Sequence, residues 1–217
     1  MTSSLARLHA LKRDGTKIAC AIAWDTPTAR ILDESGVDLV SVGDSVGLNL
    51  WGREREGDVS VAELELLTRA VRAGVSRAAV SADLPDASLE AARRLLDAGA
   101  DVVKVEGEGA ETLAEAGVPV FAQLDGSTGT VDQLVERGRA LEAAGAILLD
   151  FRHSGEEAGA AVAAAVAIPV IGGLGGGPWL DGRMRLLSRL VDLAPSIREA
   201  VAVYVDDVRS ARPVRGD

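Results

Sequence analysis

Apolar positions along the chain follow two alternating patterns. Short runs that stay apolar on successive residues lie near Ile18–Trp24, Leu39–Val42, Ala79–Ala82, Val102–Val105, Val120–Gln123, Ile147–Phe151 and Val170–Ile171, and these read as strands. Between them, segments such as "SVAELELLTRAVRAG", "SLEAARRLLDAGA" and "TVDQLVERGRALEAAG" space their apolar residues at the helical period. A strand that is apolar on every residue has both faces covered, which points to a parallel sheet layered with helices.

The junctions repeat one local grammar. In "LDESGVDLVSV", "LDAGADVVKV", "LAEAGVPVFAQ" and "LEAAGAILLDF" a helical tail ends at a glycine able to take the left-handed conformation that closes a helix, and an apolar run follows. Seven such units fit either a doubly wound open sheet or a (β/α)8 barrel of the TIM type. The barrel is favoured because at least five strand ends, spread along the whole chain, carry polar or ionisable residues. An eighth strand is hard to see, which leaves room for a trimmed barrel; "RLVDLA", near residue 190, is the only candidate. No linker rich in Pro, Gly or Ser divides the chain, so residues 1–217 are expected to form a single barrel domain that frays over its last residues, "SARPVRGD".

Composition narrows the partners. The 217 residues are 47% hydrophobic and 26% charged, which suits a globular chain with a sizeable core. A formal net charge of -10 argues against a nucleic-acid surface, because phosphate binding needs clustered Lys and Arg that are here outnumbered by acids. The lone Cys20 cannot close an internal disulfide. The opening "MTSSLARLHALKRDGTK" lacks the apolar run of a signal peptide, and no stretch reaches the roughly 18 apolar residues of a membrane span. The expected setting is the cytoplasm, with neither nucleic acid nor membrane as partner.

The strand ends carry the candidate chemistry. Asp44 follows the second strand, Asp83 the third and Glu106 the fourth, so in a barrel all three lie on one rim of neighbouring strands. Carboxylates held that close raise a pKa or recruit a cation, and an all-oxygen set suits Mg2+. The alternative is that each acid is a helix N-cap or a solvated loop residue. Lys104 lies two residues before Glu106, on the same strand face, and needs an acidic partner or an anionic ligand; a structural ion pair with Glu106 or Asp83 is the plainer option. Ser45 is either a donor to a substrate carboxylate or an ordinary turn serine. "VIGGLGGGPWLDG", residues 170–182, does not match the dinucleotide spacing and reads as a pocket wall or a flexible loop. His9 is expected on a solvated helix face, and His153 in a loop after the sixth strand.

"GVDLVSVGDSVGLNLWG", "SADLP", "AGADVVKVEG" and "ALEAAGA…AIPVIG", taken in order, resemble the ketopantoate hydroxymethyltransferase family, within the isocitrate lyase and phosphoenolpyruvate mutase superfamily of (β/α)8 barrels. The resemblance covers residues 5–185. It implies that Asp44, Asp83 and Glu106 bear Mg2+, directly or through water, that the ion chelates a small 2-oxo acid, and that Ser45 and Lys104 contact this substrate. It also implies enolisation: a base removes the C3 proton and the carbanion attacks a one-carbon donor, methylenetetrahydrofolate. Relatives assemble as homo-oligomers, and the Ala-rich "EEAGAAVAAAVA" is smooth enough to pack within the outer layer or against a neighbour.

The departures from the family matter as much. Its "GHLG" after the fifth strand is here "AQLDG", which puts Gln123 where the proton-carrying histidine stands. Its proposed base after the sixth strand aligns with Arg152, which stays protonated. Asp150, roughly 6–7 Å back along the same strand face, is the carboxylate available to substitute. Arg152 either binds an additional substrate carboxylate or pairs with Asp150, Glu156 or Glu157. The loops after "ADLP" and after the fifth strand are short. The expectation is a Mg2+-dependent enzyme acting on a 2-oxo acid with an altered substrate or reaction; the alternatives are a lyase or mutase on a dicarboxylic or phosphorylated substrate, and a non-catalytic ligand-binding relative.

Overall fold

The computed structural model describes residues 2–55, 58–107 and 109–210. Eight parallel strands close into a barrel in sequence order: β1 (Ile18–Ile22), β2 (Leu39–Val42), β3 (Ala79–Asp83), β4 (Val102–Val105), β5 (Val120–Asp125), β6 (Leu148–Arg152), β7 (Val170–Gly172) and β8 (Gly182–Leu186). Helices alternate with them: α1 (Ser3–Arg13) precedes β1, and α2 (Thr26–Glu34), α3 (Val46–Asn49), α4 (Val61–Arg72), α5 (Leu89–Asp97), α6 (Gly109–Glu115), α7 (Val131–Ala143) and α8 (Glu156–Ala165) follow. Gly36, Gly99, Gly117 and Gly145, which close the helical tails of the four repeated phrases, all have positive φ, from 80° to 110°.

The eighth strand is not where the sequence suggested. "RLVDLA", residues 189–194, is mostly irregular chain between a 3-10 turn at Leu187–Arg189 and the next helix, and the strand is "GRMRL" at Gly182–Leu186. This strand buries Met184 inside the barrel but leaves Arg185 exposed, so it reads as an alternation rather than a continuous apolar run. Ile18 N–H donates to Asp181 O (2.9 Å) across the closing seam, and the Lys12 ammonium of α1 joins that seam by bonding the Asp181 carboxylate and the carbonyls of Ala163 and Ile168.

By its contacts the chain divides into residues 1–185, which carry the barrel, and residues 186–217. The second unit holds α9 (Ala194–Arg209), none of whose residues is buried. Beyond Ser210, the segment expected to fray lies outside the described residues. Among the described residues no helix is long and apolar enough to cross a membrane. The Ala-rich α8 packs against α7, where a Cβ at Gly138 would meet Val162.

Two apolar layers hold the barrel. Outward residues such as Val40, Val80, Val103, Val120 and Leu149 pack under the helices. Inward residues at the strands' first halves, Ile18, Leu39, Ala79, Val102, Phe121, Leu148 and Ile171, form an inner cluster, and α1 plugs it with Leu5 and Leu8. Leu8 is fully buried. Leu8→Ala should therefore cost about 2–5 kcal/mol of unfolding free energy, seen as a lower denaturation midpoint in urea.

Candidate active site

Strand periodicity gives the barrel interior its chemistry. Two residues beyond the apolar layer, the same inward face carries Ser41, Ser81, Lys104, Gln123 and Asp150, and two residues further it carries Asp83, Glu106, Asp125 and Arg152. The polar half is the C-terminal one, where barrel enzymes build their sites. It opens into a cavity of about 430 Å³ lined by Asp44, Asp83, Lys104, Glu106, Gln123 and Arg152, together with an apolar wall at Leu84, Pro85 and Ala87. Ser45 and Ser88, not Asp44 and Asp83, hold the N-cap positions of α3 and α5, the helices that follow these strands.

The deepest charges are interlocked. Lys104 Nζ lies 2.9 Å from Asp83 Oδ1 and 3.7 Å from Asp150 Oδ2, with all three side chains almost wholly buried. Register explains the choice: β3 pairs Asp83 with Lys104, so the partner is the cross-strand neighbour rather than Glu106. Burial alone would push the ammonium pKa down, but the Asp83 and Asp150 carboxylates outweigh it and hold Lys104 firmly protonated. Burial likewise pushes the Asp150 carboxyl up, against the opposing pull of Lys104 and Arg152. Beneath them the Ser81 and Ser41 hydroxyls share a buried hydrogen bond of 2.9 Å.

Nearer the mouth, Glu106 Oε1 accepts from Gln123 Nε2 (2.6 Å) and from Arg152 (3.0 Å). The ion pair of Arg152 is therefore with Glu106, not with Asp150, Glu156 or Glu157. The Asp44 amide donates to Asp83 Oδ2 at 3.1 Å. Ser45 and Asp150 are not among the cavity-lining residues. Ser45 stays near, because a Cβ at Gly43 would meet its Oγ at 3.0 Å and Asp83 Oδ2 at 3.6 Å, so hydroxyl and carboxylate share the space over Gly43. His9, expected on a solvated face, is partly buried, and that burial lowers its pKa.

The residues present fit a hard divalent cation. Asp83 Oδ1 is buried, and beyond the Lys104 ammonium it has no partner among the described residues. The four carboxylates of Asp44, Asp83, Glu106 and Asp150 face two cations, Lys104 and Arg152, which leaves a formal excess of two negative charges. Among the described residues no three acid, His or Cys side chains stand close enough to cage an ion by themselves. Mg2+ does not need that, because it keeps water or substrate oxygens beside one or two carboxylates.

Sequence reasoning passed over one neighbouring pair. Asp125, at the end of β5, places Oδ1 3.2 Å from His153 Nδ1. The only signal was positional: Asp125 continues the inward period of Phe121 and Gln123.

Sequence comparisons point to one family, and solved structures share the fold. Residues 2–130 match the sequence model of the ketopantoate hydroxymethyltransferase family. A 3-methyl-2-oxobutanoate hydroxymethyltransferase from Alkalilimnicola ehrlichii is 33% identical over 251 aligned positions, covering 95% of this chain and 90% of the relative. That alignment is longer than the chain, so the relative carries segments absent here. Among solved structures, 2,3-dimethylmalate lyase, a member of the PEP mutase/isocitrate lyase superfamily, superposes with a TM-score of 0.71 at 15% identity, covering 95% of this chain and 89% of that one. Phosphonopyruvate hydrolase in complex with oxalate and Mg2+ superposes with the same score and identity, over 100% of this chain and 90% of that one.

Removing the central cation tests the interlock. Lys104→Met leaves Asp83 and Asp150 buried and facing one another, which should cost about 3–5 kcal/mol of stability at neutral pH. The raised Asp150 carboxyl weighs on the fold only once ionised, so the deficit should shrink as the pH falls and Asp150 takes up its proton. Denaturant melts of both proteins at about pH 7 and about pH 4 check the sign.

Proposed function

The chain belongs to the ketopantoate hydroxymethyltransferase family, and on that footing we propose that it is a Mg2+-dependent enzyme that forms or breaks a C–C bond beside the carbonyl of a small 2-oxo acid. The observation that carries the reading is the protonated Lys104 in a cavity lined by three carboxylates, Asp44, Asp83 and Glu106. Asp44, Asp83 and Glu106 supply the oxygens for the ion. Bound there, Mg2+ supplies Lewis-acid polarisation of the keto oxygen.

The other roles follow from the chain's own side chains. Lys104 is a donor, not a base: its ammonium faces the cavity and stabilises negative charge growing on the substrate oxygen. Asp150 acts through Lys104, keeping it charged and aimed. Ser45 donates to the substrate carboxylate. Gln123 orients Glu106 and contacts the substrate. With Gln123 and Arg152 in place of the family's acid–base residues, the substrate or reaction differs from hydroxymethyl transfer to 3-methyl-2-oxobutanoate, and methylenetetrahydrofolate is one candidate donor among other carbonyl carbons.

Arg152 supports a second, narrower reading. A guanidinium in the cavity wall, paired with Glu106 alone among the ion pairs of the described residues, favours a substrate with a second anionic group. We place the enzyme in the cytoplasm, where the single buried Cys20 stays reduced, and as a homo-oligomer, because Ile197, Val201, Tyr204 and Val208 form an exposed apolar stripe along α9.

Metal-loaded protein should exchange the C3 proton of 3-methyl-2-oxobutanoate or another small 2-oxo acid with solvent deuterium. Exchange should vanish with chelator and in Asp83→Asn; no exchange with any 2-oxo acid contradicts the reading. Arg152→Ala should raise KM for a dicarboxylic substrate about 10-fold or more while leaving Mg2+ affinity within about 2-fold, measured by steady-state kinetics and metal titration.

A further inference from the structure

The cavity walls hold a donor, a cation and candidate metal ligands, but no group free to carry a proton. Lys104 and Arg152 are cationic, Gln123 has no titrating group, Glu106 is bound by Gln123 and Arg152, and the Asp150 carboxylate is almost wholly buried against Lys104. A pair above them is unused. Asp125 stands one inward step beyond Gln123 on β5 and is in register with Arg152 of β6, so it sits on the rim next to two lining residues, outside the lining itself. His153 follows Arg152 directly, and its Nδ1 lies 3.2 Å from Asp125 Oδ1.

Resting on the enolising reading above, we infer that His153 is the proton carrier of this enzyme, and that Asp125 is its positioning residue. Three independent features aim the ring. The backbone N–H of Ser127 donates to Asp125 Oδ1 at 2.8 Å and, with the histidine, holds that carboxyl below the usual range. The charged carboxylate then keeps the shared proton on Nδ1, which leaves the lone pair on Nε2. Nε2 makes no hydrogen bond to a described residue.

The backbone is held in an unusual place for the same ring. His153 has φ +48°, the sole non-glycine with positive φ among the described residues. Its N–H is fixed to Leu174 O at 2.8 Å. Two glycines make the room: a Cβ at Gly126 would lie 2.7 Å from His153 O, and one at Gly175 would lie 3.0 Å from His153 Cα. The glycine-rich segment after β7 is thus a wall for the histidine rather than a ligand loop. A freely solvated loop side chain needs none of these constraints, whereas a catalytic ring does.

The step balances without a co-reactant. The C3–H bond breaks, its electron pair becomes the C2–C3 double bond, the carbonyl π pair moves to the keto oxygen, and the proton forms a bond to Nε2. After the carbon–carbon bond forms, the imidazolium returns the proton to the basic atom created on the acceptor.

His153→Gly keeps a residue suited to the positive φ, and His153→Asn is a second variant tolerant of it. With wild-type, metal-loaded protein exchanging the C3 proton of 3-methyl-2-oxobutanoate, both variants should exchange about 100-fold or more slowly, and millimolar imidazole should restore much of the His153→Gly rate. Nitrogen-correlated NMR of the two histidines, with His9→Gln for assignment, should show the Nδ1–H tautomer of His153 in the wild type and its loss in Asp125→Asn. Variants that exchange at the wild-type rate, a loss that imidazole does not restore, or an Nε2–H tautomer would overturn the inference while the enolising reading stands. A wild type that exchanges no 2-oxo acid would overturn both.

Discussion

An ammonium buried inside a barrel is tolerable only beside carboxylates, and that requirement orders the whole C-terminal half of this protein. Lys104 stands between Asp83 and Asp150, one on a neighbouring strand and one two strands away. A one-residue slip of β4 would turn Lys104 outward against the helices and Val103 or Val105 inward, so the ion cluster and the apolar core specify the same register. The apolar floor formed with α1 keeps water from the cluster's underside, which strengthens its electrostatics.

The same cluster sets what can happen above it. A fixed positive charge at the base of an acidic cavity favours a substrate that becomes more negative as it reacts. On the function proposed above, a divalent ion would offset the excess of acids over bases and would, with the Lys104 ammonium, stabilise negative charge on the substrate oxygen. The departures from the family are coupled through one residue: Gln123 and Arg152 both bind Glu106. Both side chains thus clamp one candidate metal ligand at the mouth of the cavity, and the family sequence model matches residues 2–130, short of Arg152.

Much of this was legible in the sequence because burial on both faces leaves an unmistakable apolar run. Seven strands and the inward direction of Lys104 and Glu106 came from that pattern alone. β8 escaped because Arg183 and Arg185 interrupt it, its outer face being partly solvated. Partners across strands escaped for a geometric reason: the next inward residue on one strand is roughly 6–7 Å away, whereas a registered neighbour on the adjacent strand is about 4.8 Å away, so register decides the pairing. Hence Lys104 pairs with Asp83, its registered neighbour, rather than Glu106. Arg152 instead reaches past β5 to Glu106, and Asp125 meets a histidine beyond the end of β6, contacts that neither spacing nor register announces.

Oxalate has the two adjacent oxygens of a 2-oxo acid's enolate and cannot turn over, so its binding reports the central claim without depending on the final substrate. Calorimetric titration of oxalate into the protein should show micromolar or tighter affinity with Mg2+ present, and at least about 100-fold weaker binding after chelation or in Asp83→Asn. Binding that is equally strong without the metal, or no binding with it, would contradict the account.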